Sequence, residues 1–98
     1  MDILFEIKDK NEKLIYLSRE RWKHIVSEHP YLSNSLEKIK ETILNPLAIR
    51  SSIYNENLKL YFRYYKERKE YLMVAVKYLN SRAFIITSYY IRSIKDEE

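Results

Sequence analysis

Apolar and polar residues alternate along most of this chain, and a helical spacing interrupts the alternation only between Ser18 and Leu44. Ile3 to Lys8 alternates, Asp9-Lys10-Asn11-Glu12 reads as a turn, and Lys13 to Leu17 completes a hairpin. Ser18 is a good N-cap, with Glu20 in the first turn where the helix dipole favours a carboxylate. Trp22, Ile25 and Val26 form an i, i+3, i+4 stripe on a helix that runs to about His29, where Pro30 stops it. A second helix is expected from near Asn34, with Glu37 completing a capping-box variant and Leu36, Ile39, Ile43 and Leu44 as its buried face. Asn45-Pro46 ends it. Extended segments then follow at Leu47 to Tyr54, Leu58 to Lys66, Tyr71 to Leu79 and Arg82 to about Ile94.

Short connections between sequential strands favour antiparallel pairing. The expected fold is therefore α+β: two N-terminal helices, after a short β-hairpin, packed on one face of a four-stranded antiparallel sheet. The 98 residues make a single domain.

Within that sheet the segment Leu58 to Lys66 is unusual. One face carries Leu58, Leu60, Phe62 and Tyr64, and the other Lys59, Tyr61, Arg63 and Tyr65. Aromatic rings offer surfaces on which bases stack, and the interleaved cations attract phosphates. The simpler reading is a surface strand whose tyrosines follow β-propensity. The next two strands extend the pattern. Lys77 alternates with Val76 and Tyr78, and, if Phe84 and Ile86 face the helices, Thr87 and Tyr89 share the open face with Lys77, Arg63, Tyr61 and Tyr65. A one-residue slip would reverse that assignment.

Composition narrows the chemistry. There is no cysteine and no glycine, which excludes thiolate metal sites, disulfides, a P-loop, a dinucleotide fingerprint and a nucleophile elbow. Turns that need positive φ must lean on Asn11, Asn55, Asn57 and Asn80. Two histidines cannot make a three-histidine zinc site, and their i, i+5 spacing puts the rings on different faces, so neither metal nor cofactor is expected. His29 falls on the core-facing stripe below Trp22, whereas His24 lies about 200° around the helix from Trp22. Each has an ordinary alternative, a capping histidine and a surface histidine respectively. The net charge of +4 leans toward polyanionic partners, and the acidic end Asp96-Glu97-Glu98 leaves the rest of the chain more basic still. No apolar run is long enough to span a membrane, no signal segment opens the chain, and the expected compartment is the cytoplasm.

A face with His, Tyr, Arg, Lys and Thr has the groups that metal-independent RNA cleavage uses. A base takes the proton of the attacking ribose 2′-OH, cations stabilise the phosphorane, and an acid protonates the departing 5′ oxygen. The candidate catalytic set is His24, His29, Lys77, Thr87, Tyr89 and Arg63, with Tyr61, Tyr65, Lys59 and Arg50 as the surface that holds RNA.

The order of several short segments also resembles a known family. Arg21-Trp22-Lys23-His24-Ile25-Val26-Ser27-Glu28-His29-Pro30, Leu44-Asn45-Pro46-Leu47-Ala48-Ile49, Tyr64-Tyr65-Lys66, Tyr71-Leu72-Met73-Val74-Ala75-Val76-Lys77 and Ile86-Thr87-Ser88-Tyr89-Tyr90 together resemble the barnase/EndoU/colicin/RelE-like nucleases, in particular their phage-associated branch. The resemblance spans about residues 19 to 95. It implies a compact ribonuclease-like fold, RNA as substrate, catalysis without metal, and a role as a toxin with a cognate antitoxin or immunity protein as partner. By position His24 and His29 match the family's histidines at the end of the first helix, and Lys77 its basic residue in the penultimate strand. Thr87 and Tyr89 match the polar pair of the last strand, and Arg63 and Tyr65 the strand that supplies a further basic or aromatic group. Tyr31 stands where family members commonly carry an acidic residue after His-Pro, and the family's turn glycines are absent. Two other readings fit the same residues: a non-catalytic RNA-binding or protein-interaction domain, and a structural protein whose tyrosine face is an oligomer interface.

Overall fold

Ser18 ends the second strand and caps the first helix, its Oγ accepting from the Arg21 backbone N–H at 3.1 Å. From that junction the computed structural model, which describes residues 2–97, builds two helices on one side of a sheet. The strands are β1 (Ile3–Lys8), β2 (Leu14–Ser18), β3 (Ala48–Ser51), β4 (Leu58–Tyr65), β5 (Glu70–Tyr78) and β6 (Arg82–Ile91), and the helices α1 (Arg19–Glu28) and α2 (Leu36–Leu44). Single 3-10 turns lie at Pro30–Leu32 and Ile94–Glu97. Glu98, part of the acidic end, lies outside the described residues.

The sheet corrects the sequence expectation. It has six strands in the order β1-β2-β6-β5-β4-β3, and it is mixed, because β2 runs parallel to β6. The hairpin that opens the chain is therefore part of the sheet and not an appendage, so the helices are inserted between strands rather than preceding the sheet. The physical reason is that Ile15 and Leu17 are fully buried, and a two-stranded ribbon cannot bury them alone. Pairing Ile15 with Ala83 carries the apolar surface of β6 on into the hairpin.

Element bounds differ from the expected ones chiefly in loops. The third extended segment pairs only over Ala48–Ser51, the last strand ends at Ile91, and α2 starts at Leu36 with no side-chain cap at Ser35. Positive φ occurs at Glu12 (67°) and Lys69 (57°), not at any of the four asparagines.

The helices pack on Leu72, Val74 and Val76 of β5 and on Ala83 and Ile85 of β6, through Ile25, Leu32, Ile39 and Ile43. Tyr61 and Tyr65 belong to this same core, at 4 % and 7 % exposure. The tyrosine face of β4 is thus the helix face, the reverse of the sequence expectation. Leu60 and Phe62 lie on the far face, with Met73, Ala75 and Ile91, and the chain after β6 returns Ile94 onto them. That apolar cluster leaves Phe62 fully buried on the side expected to be open and polar.

β6 changes phase midway. Val76 pairs with Ile85 but Ala75 pairs with Thr87, so Ile86 is the extra residue of a bulge. Phe84, expected against the helices, shares the far face with Lys77; beyond the bulge Thr87 and Tyr89 take that face and Ser88 and Tyr90 turn to the helices.

Candidate functional site

β2 pairs with β6 only over Leu14–Tyr16 and Arg82–Phe84. Beyond Phe84 one edge of β6 has no strand neighbour, and the C-terminal end of α1 and the Pro30–Leu32 turn stand beside it. His29 caps α1 there: its N–H bonds the Ile25 carbonyl at 2.8 Å, and Pro30 prevents the helix from continuing.

The half-buried His29 ring sits 5.2 Å from the Tyr89 ring and 5.8 Å from the Tyr31 ring, centroid to centroid. The Tyr31 hydroxyl is 3.2 Å from His29 Nδ1. A hydroxyl can donate to a bare Nδ1 or accept from Nδ1–H, so either tautomer of His29 is satisfied. With the proton on Nδ1, Nε2 is a bare acceptor that can take a proton. The stack continues through Tyr31 to Tyr90 at 5.9 Å, and the Arg68 guanidinium covers Tyr90 at 4.0 Å and Tyr31 at 5.1 Å. The Tyr90 hydroxyl is buried, and burial pushes its phenol up against the opposing pull of Lys38, Arg68 and the Ser35 side chain.

The candidate residues divide between two faces. Thr87, Tyr89 and Lys77 share the far face, and Thr87 stands opposite Ala75. Lys77 is half-buried and forms no ion pair with a described residue. Arg50 is exposed on edge strand β3, paired with Leu60 and so on the far-face side. His24 is exposed in a groove of about 360 Å³ between β2 and β6, lined also by Tyr16, Ser18, Arg21, Phe84 and Ile85.

The remaining candidates lie on the helix face and are occupied structurally. The Arg63 guanidinium donates to the Asn45 carbonyl at the end of α2 (2.7 Å) and pairs with Glu41 at 3.4 Å. Its cation thereby satisfies a terminal carbonyl and the negative end of the helix dipole. Tyr65 donates to Glu41 Oε1 at 2.6 Å, also reaches the Lys38 carbonyl at 3.2 Å, and lies under the Lys38 ammonium. Burial and that carboxylate push its phenol up to about 12. Tyr61 bonds Tyr78, and Lys59 donates to Ser51 Oγ at 2.9 Å.

Tyr31, Arg68 and Tyr90 of the stack were not singled out from sequence as site residues. Arg68 sits in the β4–β5 turn, where no periodicity points to it, and Tyr90 reads as the alternate of Tyr89 until the bulge is known. Among the described residues no three His, Asp or Glu side chains converge on a point that could hold a metal ion. Among the described residues no helix is long and apolar enough to cross a membrane.

Comparison with protein-family models, with curated proteins and with solved structures returns no match. Function has to be argued from side chains, since a fold by itself carries none.

Proposed function

We propose that this chain is a small endoribonuclease of the barnase/EndoU/colicin/RelE-like kind, acting without metal at the free edge of β6. The observation that carries the proposal is His29 held between Tyr89 and Tyr31 with its Nδ1 on a hydroxyl. That arrangement leaves Nε2 to face the substrate. In the reaction, Nε2 takes the proton of the ribose 2′-OH and the 2′ oxygen bonds to the adjacent phosphorus. The Tyr89 hydroxyl protonates the 5′ oxygen as its bond to phosphorus breaks. The products are a 2′,3′-cyclic phosphate and a 5′-hydroxyl, and the proton on His29 returns to Tyr89 through solvent. Thr87 orients the phosphate and Arg68, which also pairs with Glu70 at 3.2 Å, supplies positive field for the phosphorane, whereas Lys77, four residues along β5 from the partner of Tyr89, contacts the RNA further along.

His24 takes a different role from His29. Ile85 beside His24 and Tyr89 beside His29 are separated along β6 by about 13 Å. His24 lines a different groove from the one beside the His29 stack, so His24 contacts the strand further along. Arg63 and Tyr65 tie α2 to the sheet and Tyr61 bonds Tyr78, so none of the three takes part in the chemistry at the β6 edge.

The test is cleavage of end-labelled RNA in EDTA, with binding measured separately. His29→Ala is expected to lower the rate by about 10²–10⁴ with RNA affinity retained. Wild-type protein that binds RNA without cutting it supports the non-catalytic RNA-binding reading instead. Cleavage unchanged in His29→Ala removes this site from the mechanism.

A further inference from the structure

A second concave site lies on the helix face, at the end of the sheet the helices do not reach. Its volume is about 640 Å³, within the usual range for small-ligand sites. The β1–β2 turn forms one wall and the segment from Ile49 to Lys59 the other, and none of the lining residues belongs to a helix. The floor is a hydrogen-bonded chain: Tyr61 hydroxyl to Tyr78 hydroxyl, and Tyr78 hydroxyl donating to Asp9 Oδ2 at 2.9 Å. The other Asp9 oxygen accepts from the backbone N–H of Asn11 (2.8 Å) and of Lys13 (3.0 Å). One carboxylate therefore shapes the turn and orients both phenols. Burial and these bonds push the Tyr78 phenol well up, and burial raises Tyr61 as well, so both remain neutral donors.

Two ammonium groups face one another across this floor. Lys13 Nζ lies over the Tyr78 ring at 5.8 Å and donates to the Asn80 carbonyl, and Lys59 Nζ donates to Ser51 Oγ. Neither has an acidic partner among the described residues. The Asp9 charge is met by three donors, and Glu56 stands exposed at the rim. The site is thus a roomy hollow in which two ammonium groups stand outside any ion pair among the described residues, alongside the Asp9 and Glu56 carboxylates, with neutral phenols beneath them and Ile49 as an apolar wall.

We infer that this cleft binds a nucleoside monophosphate unit, free or as part of an RNA strand, with its phosphate between Lys13 and Lys59 and its sugar and base over Tyr61, Tyr78 and Ile49. The inference is independent of RNA cleavage, because it uses none of the groups at His29 and lies at the opposite end of β5 and β6.

Titration of the full chain with adenosine 5′-monophosphate, followed by amide shifts, tests it. Saturable binding centred on Asp9, Lys13, Lys59 and Tyr78 is expected, weakened about tenfold by either Lys13→Met or Lys59→Met. Glu56→Gln is expected to tighten it about two- to threefold by removing a like charge. Adenosine without phosphate should shift these amides at least tenfold less tightly. A 2′-O-methyl pentanucleotide that binds the same residues more tightly than the monophosphate identifies RNA as the source, and equal affinity identifies the free nucleotide. Shifts scattered over the surface, or an affinity unchanged in the folded Lys13→Met/Lys59→Met double variant, overturn the assignment.

Discussion

Tyr65→Phe separates a tyrosine that holds a helix from one that holds RNA. The substitution keeps the ring in the core and removes only the hydroxyl, which donates to Glu41 Oε1 at 2.6 Å and reaches the Lys38 carbonyl at 3.2 Å. A hydrogen bond to a charged acceptor contributes about 1.5–3 kcal/mol, and the half-exposed Glu41 side chain brings this down to about 1–2 kcal/mol. Glu41 keeps Arg63 as a partner, so no buried charge is orphaned. The same hydroxyl gives a pH signature. Its pKa rises from the ordinary 10.0 to about 12 on folding. The folded state then holds the proton more tightly than the unfolded state. That stability is fully present below pH 10 and is lost as pH climbs through 12. Tyr61, Tyr78 and Tyr90 shift in the same direction, so wild-type stability falls steeply in that window and Tyr65→Phe falls less. Urea unfolding at pH 8 and at pH 11 measures both effects, beside RNA affinity at pH 8. A variant with unchanged stability and weakened RNA binding would falsify the placement of the tyrosine face under the helices.

Other expectations follow from the sheet and its turns. Ile15→Ala should cost about 2–5 kcal/mol in a single cooperative transition, because the hairpin is part of one sheet; a separate early transition in urea contradicts the β2–β6 pairing. Lys69→Gly should raise stability by about 0.5–1 kcal/mol, since Lys69 carries a left-handed penalty that glycine avoids; a lower urea midpoint counts against the φ of 57°. Lys77→Ala should reduce the slope of log affinity for RNA against log salt by about 1 while leaving stability nearly unchanged, and an unaltered slope removes Lys77 from the RNA surface.

Local signals in the sequence transferred well. Ser18 does cap α1, Pro30 does end it, His29 is half-buried and His24 exposed, and the alternation of β5 does place Leu72, Val74 and Val76 against the helices. What failed required knowledge of distant partners. Nothing local to Leu14–Tyr16 announces a parallel pairing with Arg82–Phe84. Alternation in β4 is clear, but both of its faces are apolar enough to be buried; α2 packs on the one whose Tyr65 phenol reaches Glu41 and the Lys38 carbonyl. The bulge at Ile86 reversed the first half of β6 relative to the second, which is why Phe84 and Thr87 share a face that strict alternation forbids. Of the candidate site, Lys77, Thr87 and Tyr89 do share one face and His29 does meet Tyr89, whereas Arg63, Tyr61 and Tyr65 were separated from them by a β4 orientation that periodicity alone leaves ambiguous.

The central claim is that the free edge of β6 cleaves RNA through the ribose 2′-OH. Its most direct test places a single 2′-O-methyl nucleotide at the cut site of an end-labelled RNA, in EDTA. Cutting should stop at that linkage and continue elsewhere, leaving 2′,3′-cyclic phosphate ends. Cleavage at the methylated linkage, or products ending in 5′-phosphate, would contradict it.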